Sequence, residues 1–259
     1  MFPDITLIDA DSIYFRMACA LERKDGQSLE RGWQKAMRQN IDRMVKNIRR
    51  DVGTDNLMIA VKGHGNFRND IYPEYKANRP TMSDARKEAL NYGHDYMVKK
   101  HDAVMADGME ADDLVSIWSA ECRDADKDYV VAGIDKDLLQ IPGNHYNFVK
   151  QTHKFVDYDT AHHNLMVQCL TGDSTDNIPG IKGVGPKKAE KFLHGVPATR
   201  QWNRVRAVWR SYKAGDPTTS RRLLEMLTSW EEYESIRHEI TSKTSVSKQD
   251  VSKEQTQDS

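Results

Sequence analysis

Four short apolar runs, at residues 5–8, 57–61, 103–106 and 129–132, punctuate the first half of the chain, and stretches of helical periodicity separate them. Runs this short read as strands buried on both faces rather than as helices. The segments between them have apolar residues every three or four positions. In 29–52 the residues Trp33, Met37, Ile41, Met44, Val45 and Ile48 make one stripe, and 12–21, 81–101 and 111–122 are also helical in pattern. Strands alternating with helices predict an α/β fold, a parallel sheet with flanking helices. From about 159 onward the pattern is helical only, over 159–172, 186–193, 199–213 and 219–240. The last stretch, 241–259, is rich in Ser, Lys, Gln and Asp and is expected to be disordered.

Acids gather where such a sheet would place them together. Asp9 ends the first apolar run, and Glu110, Asp112 and Asp113 open the helix after the third. Asp135 and Asp137 follow the fourth, and Asp173 and Asp176 come after the next helical segment. Taken singly, each group has a bland reading: helix-dipole compensation for Glu110, Asp112 and Asp113, a polar loop for Asp135 and Asp137, an ordinary turn for Asp9. If residues 135–137 are extended, Asp135 and Asp137 point the same way. Ligands of parallel sheets lie at the carboxyl ends of the strands. Acids converging there would repel one another unless cations were bound. Oxygen-only donors favour Mg²⁺ or Mn²⁺ over Zn²⁺, and two such ions suit phosphodiester hydrolysis.

A glycine turn follows the last acids. Gly183 and Gly185 flank Val184, Pro186 presets a helix, and Lys182, Lys187, Lys188 and Lys191 surround the turn. Amides without a Cβ in front of them can face a phosphate. Nothing in this string reads bases, so it suits a nucleic-acid backbone. The segment 67–79 is polar, aromatic and basic. Its bland reading is a solvated loop; its functional reading is a flexible clamp with Lys76 and Arg79 on phosphates and Tyr72 or Tyr75 available for stacking. Arg16 could reach a phosphate or form a surface salt bridge.

The net charge of −1 averages opposed regions: 199–222 holds seven basic residues and one acid, Asp216. Separate poles fit a molecule that grips phosphates on one surface and cations on another. Cys19, Cys122 and Cys169 are too scattered for a disulfide framework or a zinc site, which suggests buried thiols and a reducing compartment. No signal peptide or membrane-length apolar run is visible, so a cytoplasmic protein is expected.

The chain resembles the 5′-nuclease, or flap endonuclease, superfamily over roughly residues 5–195. The strings that carry the likeness are Leu7-Ile8-Asp9-Ala10-Asp11, Tyr72-Pro73-Glu74-Tyr75-Lys76-Ala77-Asn78-Arg79 and Gly108-Met109-Glu110-Ala111-Asp112-Asp113-Leu114. Asp135-Lys136-Asp137-Leu138 and the stretch from Gly172 through Asp173, Asp176 and Gly180 to Gly183, Gly185 and Lys187 complete it. The resemblance implies a PIN-like nuclease core with a helical arch or clamp (1–171) and a helix-hairpin-helix that holds duplex DNA, often with K⁺ (172–240), ahead of the tail (241–259) that composition marks. It implies a monomer acting with two Mg²⁺ or Mn²⁺ ions on DNA with 5′ ends, flaps or nicks, and on RNA primers. Asp9, Glu110, Asp112 and Asp113 would serve the first ion and Asp173 and Asp176 the second, with Asp135 and Asp137 completing or bridging the site. Lys76, Arg79 and Arg16 would contact phosphate.

One position departs from the family, which has an aspartate at the end of the second strand where this chain has Lys62. The neighbouring acids are expected to draw Lys62 into salt bridges; otherwise it contacts the scissile phosphate or turns away. A junction-binding protein with impaired catalysis and a PIN-type ribonuclease are the rival readings, and the glycine turn argues against the second.

Overall fold

Leu7 and Ile8 are both fully buried, yet they belong to different cores. Successive side chains of a strand point to opposite faces, so the strand that holds them is covered on both sides. The computed structural model describes residues 3–26 and 28–254, with side chains through Ser242. That central strand is β1 (Ile5–Asp9). It pairs in parallel with β2 (Leu57–Lys62) on one side and β4 (Tyr129–Ala132) on the other. β3 (Val104–Ala106) lies beyond β2 and β5 (Gly143–Asn147) beyond β4, both parallel. β6 (Thr152–Val156) closes the edge as the antiparallel arm of a hairpin, giving the order β3-β2-β1-β4-β5-β6.

One face of the sheet is covered by α1 (Asp11–Leu21), α2 (Trp33–Val52) and α4 (Asp84–His101), whose Ala18, Met37, Ile41, Ile48, Ala89 and Met97 are fully buried with Ile8 and Val61. The other face is covered by α5 (Ala111–Asp124) and by Met226, Leu227 and Tyr233, the last from α10 (Trp230–Glu254). A third core joins α6 (Tyr158–Thr171), α7 (Pro186–Leu193), α8 (Ala198–Ser211) and α9 (Thr218–Leu224), with Tyr75 inserted into it. No helix among the described residues is long and apolar enough to cross a membrane.

The expected strands and long helices are present, with three differences. β5 and β6 are polar and lack an apolar run, because they lie at the sheet edge where one hairpin suffices to cover β4. The clamp segment begins as a helix, α3 (Phe67–Ile71), capped by the Asn66 side chain, which accepts from the Arg68 N–H at 3.0 Å. The disorder expected from Thr241 is not what the backbone does: α10 runs on to Glu254, and Thr241 and Ser242 bond back to the carbonyls of Arg237 and His238. No Gly or Pro interrupts 241–254 to stop it. The remainder of that expectation, 255–259, lies outside the described residues.

The loop from α6 towards α7 is closed on itself by a pair of bonds between Asp173 and Ile178, N–H to C=O in both directions. Gly172 (φ +67°) and Gly180 lie back to back in it, and a Cβ on Gly180 would stand 2.1 Å from the Thr171 carbonyl carbon. Backbone cannot swing aside as a side chain can. Gly180→Ala is therefore expected to lower stability by about 1–3 kcal/mol, read from the urea midpoint at unchanged slope.

Candidate active site

The acids do converge on the carboxyl edge of the sheet. Asp9, at the end of β1, is buried. Its carboxyl is pushed up to about 8, first by burial and then by Asp11, with Asp135 and Glu110 adding to the effect. Asp112 is raised well above the usual carboxylate range by burial, then by Glu110 and Asp113, with Asp9 contributing. Glu110 behaves oppositely. Burial disfavours its charge, but Lys76 and Arg68 outweigh that and hold its carboxyl below the ordinary value. Beside this group, burial and Asp135 raise Asp137. Burial of Asp173 is overcome by Lys136, whose Nζ lies 2.6 Å from its carboxylate. Asp176 joins from the far side through Lys76 and Arg79.

The structure separates one acid from the rest. Asp113 is fully buried, and the Arg68 guanidinium grips it with two bonds of 2.5 and 2.9 Å. It also accepts from the Glu110 N–H at 3.1 Å and from the Leu227 N–H at 3.2 Å. Its lone pairs are directed into the protein, so it is a structural anchor rather than the metal-facing acid expected from its place in the string. Asp135 and Asp137 meet for a reason other than extension. Asp137 starts a 3₁₀ turn (Asp137–Gln140), and its N–H donates to the Asp135 carboxylate at 2.9 Å.

The clamp segment is fastened to the acids. Lys76 has φ +59°, its N–H donates to the Asp176 carbonyl at 2.9 Å, and its Nζ bonds Glu110. Arg79 bonds the Asp176 carboxylate at 2.5 Å. Asn78 donates to the Ser174 carbonyl and Asn177 to the Glu74 carbonyl. Tyr75 is buried, with its hydroxyl 3.0 Å from Glu110. It cannot stack on a base, a correction to one of the two stacking candidates; Tyr72 is half-buried and bonds Glu74. Arg16 is exposed on α1 and makes no ion pair among the described residues. Lys62 is the second correction. Its side chain is exposed and pairs with none of the acids among the described residues, while its backbone N–H donates to Asp11 and its carbonyl bonds His94.

At the glycine turn, Gly183 is left-handed (φ +79°) and Gly185 is extended as the N-cap of α7, and a Cβ on either would meet nothing within 4 Å. Ile181 and Val184 anchor the turn in the third core, leaving Lys182, Lys187, Lys188 and Lys191 exposed. The residues before Gly183 form turns, and α6 and α7 are the helices on either side of them.

Arg68, Lys136 and Asp11 went unassigned in the sequence. Lys136 had a legible signal, a basic residue between two acids, and Asp11 had its spacing of two from Asp9; Arg68, set among Phe67, Asn69 and Asp70, had none.

The sequence profile described as 5′-3′ exonuclease, N-terminal resolvase-like domain, matches residues 4–167. The chain belongs to that family. DNA polymerase I of Pseudomonas aeruginosa is 33% identical over 140 residues, covering 50% of this chain and 15% of the polymerase. Flap endonuclease Xni of Shewanella baltica is 28% identical over 147 residues, covering 52% of this chain and 55% of Xni. The chain thus matches about half the length of this Xni relative and a small part of the polymerase. Among solved structures, the T5 D15 protein co-crystallised with metal ions superposes with a TM-score of 0.67 at 13% identity, over 92% of this chain and 98% of that one. The bacteriophage T5 D15 flap endonuclease in a complex with DNA and metal ions superposes with a TM-score of 0.61 at 14% identity, over 86% and 89%. These last two likenesses establish a shared fold.

This cluster of acids carries its repulsion as a pH dependence. Between about pH 4 and pH 8 the unfolded chain loses the Asp9 proton while the folded chain keeps it, so this group lowers stability progressively as pH rises through that window. In chelator, Asp9→Asn should raise the melting temperature more at about pH 8.5 than at about pH 5.5. A parallel shift at both values would show that the Asp9 carboxyl is not perturbed. Arg68→Met should act in the other direction. It leaves Asp113 buried and unpaired, an expected loss of about 3–5 kcal/mol by urea denaturation.

Proposed function

We propose that this chain is a structure-specific 5′ nuclease that hydrolyses phosphodiesters in DNA at 5′ ends, flaps and nicks. The observation that carries the reading is the gathering of Asp9, Glu110, Asp112 and Asp135 at the carboxyl edge of the sheet, in a family of 5′-3′ exonucleases. Its relatives and fold neighbours include flap endonucleases, one of them in a complex with DNA and metal ions.

The donor set suits a hard divalent cation. It is all carboxylate oxygen, and Asp9 and Asp112 resist ionisation because they are buried and lie among like charges. No three acids among the described residues close into a cage. An open set of this kind fits Mg²⁺ or Mn²⁺, since Mg²⁺ keeps several waters and takes only one or two protein carboxylates. Asp9, Glu110 and Asp112 would hold one ion and Asp173 and Asp176 the other, with Asp135 and Asp137 between them. When bound, such ions supply an activated water and neutralise charge on the phosphodiester.

The chain's own cations set the order of events. Lys76 and Arg79 now compensate Glu110 and Asp176. Once those acids are neutralised otherwise, both basic groups become available to a substrate phosphate, and the bond from the Lys76 N–H to the Asp176 carbonyl keeps that residue beside the acids. Arg16, exposed and unpaired among the described residues, offers a further phosphate contact. Gly183 and Gly185 with Lys182, Lys187, Lys188 and Lys191 would hold the duplex backbone, with K⁺ as an additional ligand of the turn. Contacts of this kind do not read sequence, and they would also accept an RNA–DNA hybrid. The Lys62 ammonium does not enter the acids, which supports catalysis over the rival reading of a binding protein impaired by that cation.

The test is cleavage of a 5′-flap and of a nicked duplex, each with Mg²⁺ and with chelator. Short 5′ products are expected with Mg²⁺ only. Asp112→Asn should reduce turnover by at least about a hundredfold while duplex affinity, measured by anisotropy, stays near that of the unsubstituted chain. Metal-independent cleavage, or none on any 5′-ended substrate, would overturn the reading.

A further inference from the structure

The end of β2 lacks an acidic side chain, because Lys62 stands there and turns its ammonium to solvent. The position is nevertheless covered by a carboxylate. Asp11, in the first turn of α1, lays its Oδ1 on the end of β2 and accepts the Lys62 N–H at 2.8 Å and the Tyr14 hydroxyl at 2.5 Å. Its own N–H donates to the Asp9 carboxylate at 3.2 Å, which ties the two acids together. Oδ2 of Asp11 makes no hydrogen bond among the described residues.

A helix-dipole role does not account for this placement. An acid that merely compensates the start of α1 would stay in solvent, where its charge is cheapest to keep. Asp11 is instead half-buried, close enough to Asp9 and Glu110 for the three charges to oppose one another. Tyr14, buried at 6% exposure, holds it there from one turn further along α1. A carboxylate fixed by two donors on one oxygen, among like charges, is arranged as a ligand is.

We propose that Asp11 is a cation-holding residue of this site, supplying from α1 the carboxylate that β2 does not carry, with Tyr14 as its positioning residue. The inference rests on the reading of the acids as a metal-dependent nuclease centre. It assigns the two-residue step from Asp9 to Asp11 a chemical role, and it explains how Lys62 is tolerated at the strand end.

Mn²⁺ binding to the full chain without DNA, followed by electron paramagnetic resonance, tests it. The unsubstituted protein, Asp11→Asn, Tyr14→Phe and Asp9→Asn are compared, with melting temperatures as the check on folding. Asparagine keeps an oxygen for the Lys62 N–H and the Tyr14 hydroxyl, so a purely structural Asp11 predicts unchanged affinity. The expected result is a loss of at least about tenfold in Mn²⁺ affinity for Asp11→Asn, a smaller loss for Tyr14→Phe, and cleavage of a 5′-flap that needs correspondingly more Mg²⁺. Unchanged Mn²⁺ affinity in a folded Asp11→Asn, with Asp9→Asn weakened, overturns the assignment of Asp11 alone. No Mn²⁺ binding by the unsubstituted chain overturns it together with the nuclease reading. Should Asp11→Asn fail to fold, Tyr14→Phe decides: affinity equal to the unsubstituted chain's counts against the proposal.

Discussion

Arg68 is the residue on which the separate parts of this molecule meet. Its guanidinium holds the Asp113 carboxylate at the start of α5, and two further bonds reach the carbonyls of Leu223 and Glu225 at the end of α9. Its backbone belongs to α3, which leads into the clamp. Burial of a guanidinium opposes its charge, and Asp113 overcomes that opposition and keeps the group cationic. A buried pair is weak evidence for net stability, but it specifies orientation, since a planar fork accepts only one disposition of carboxylate and carbonyls. The start of α5, the clamp and the helical lobe are thereby held at one relative position, and Glu110 and Asp112 lie next to the pair.

From that anchoring follows the electrostatic character of the site. Glu110 stays ionised because Lys76 and Arg68 outweigh its burial, while burial and neighbouring acids push Asp9 and Asp112 the other way. Neighbouring carboxylates with opposed shifts form a site that takes up positive charge readily. Its own cations, Lys76, Arg79 and Lys136, are half-buried or exposed and pair with Glu110, Asp176 and Asp173.

The fold was legible where burial on both faces left a chemical mark. β1, β2 and β4 are apolar along their lengths because helices cover both of their sides, and α2 shows its stripe because one side faces the sheet. β5 and β6 were not legible, since an edge hairpin with His145, Lys154 and Phe155 has no such constraint on its outer face. The course of α10 beyond Thr241 was not legible, because a composition nearly free of apolar residues says that a segment has little to dock, not that its backbone cannot stay helical.

The sequence alone determined that acids would meet at one sheet edge and that a lysine-bearing glycine turn would follow them, because strand ends in a parallel sheet lie side by side whatever the loops do. Which acids face outward was decided only by tertiary structure. Asp112 and Asp113 are adjacent and chemically identical, yet one is left among like charges while the other is locked to Arg68 from a distant part of the chain. Tyr75 and Lys62 teach the same lesson. The first is buried against Glu110 and the second turned to solvent, because side-chain direction depends on neighbours that are brought close in space and are far away in sequence.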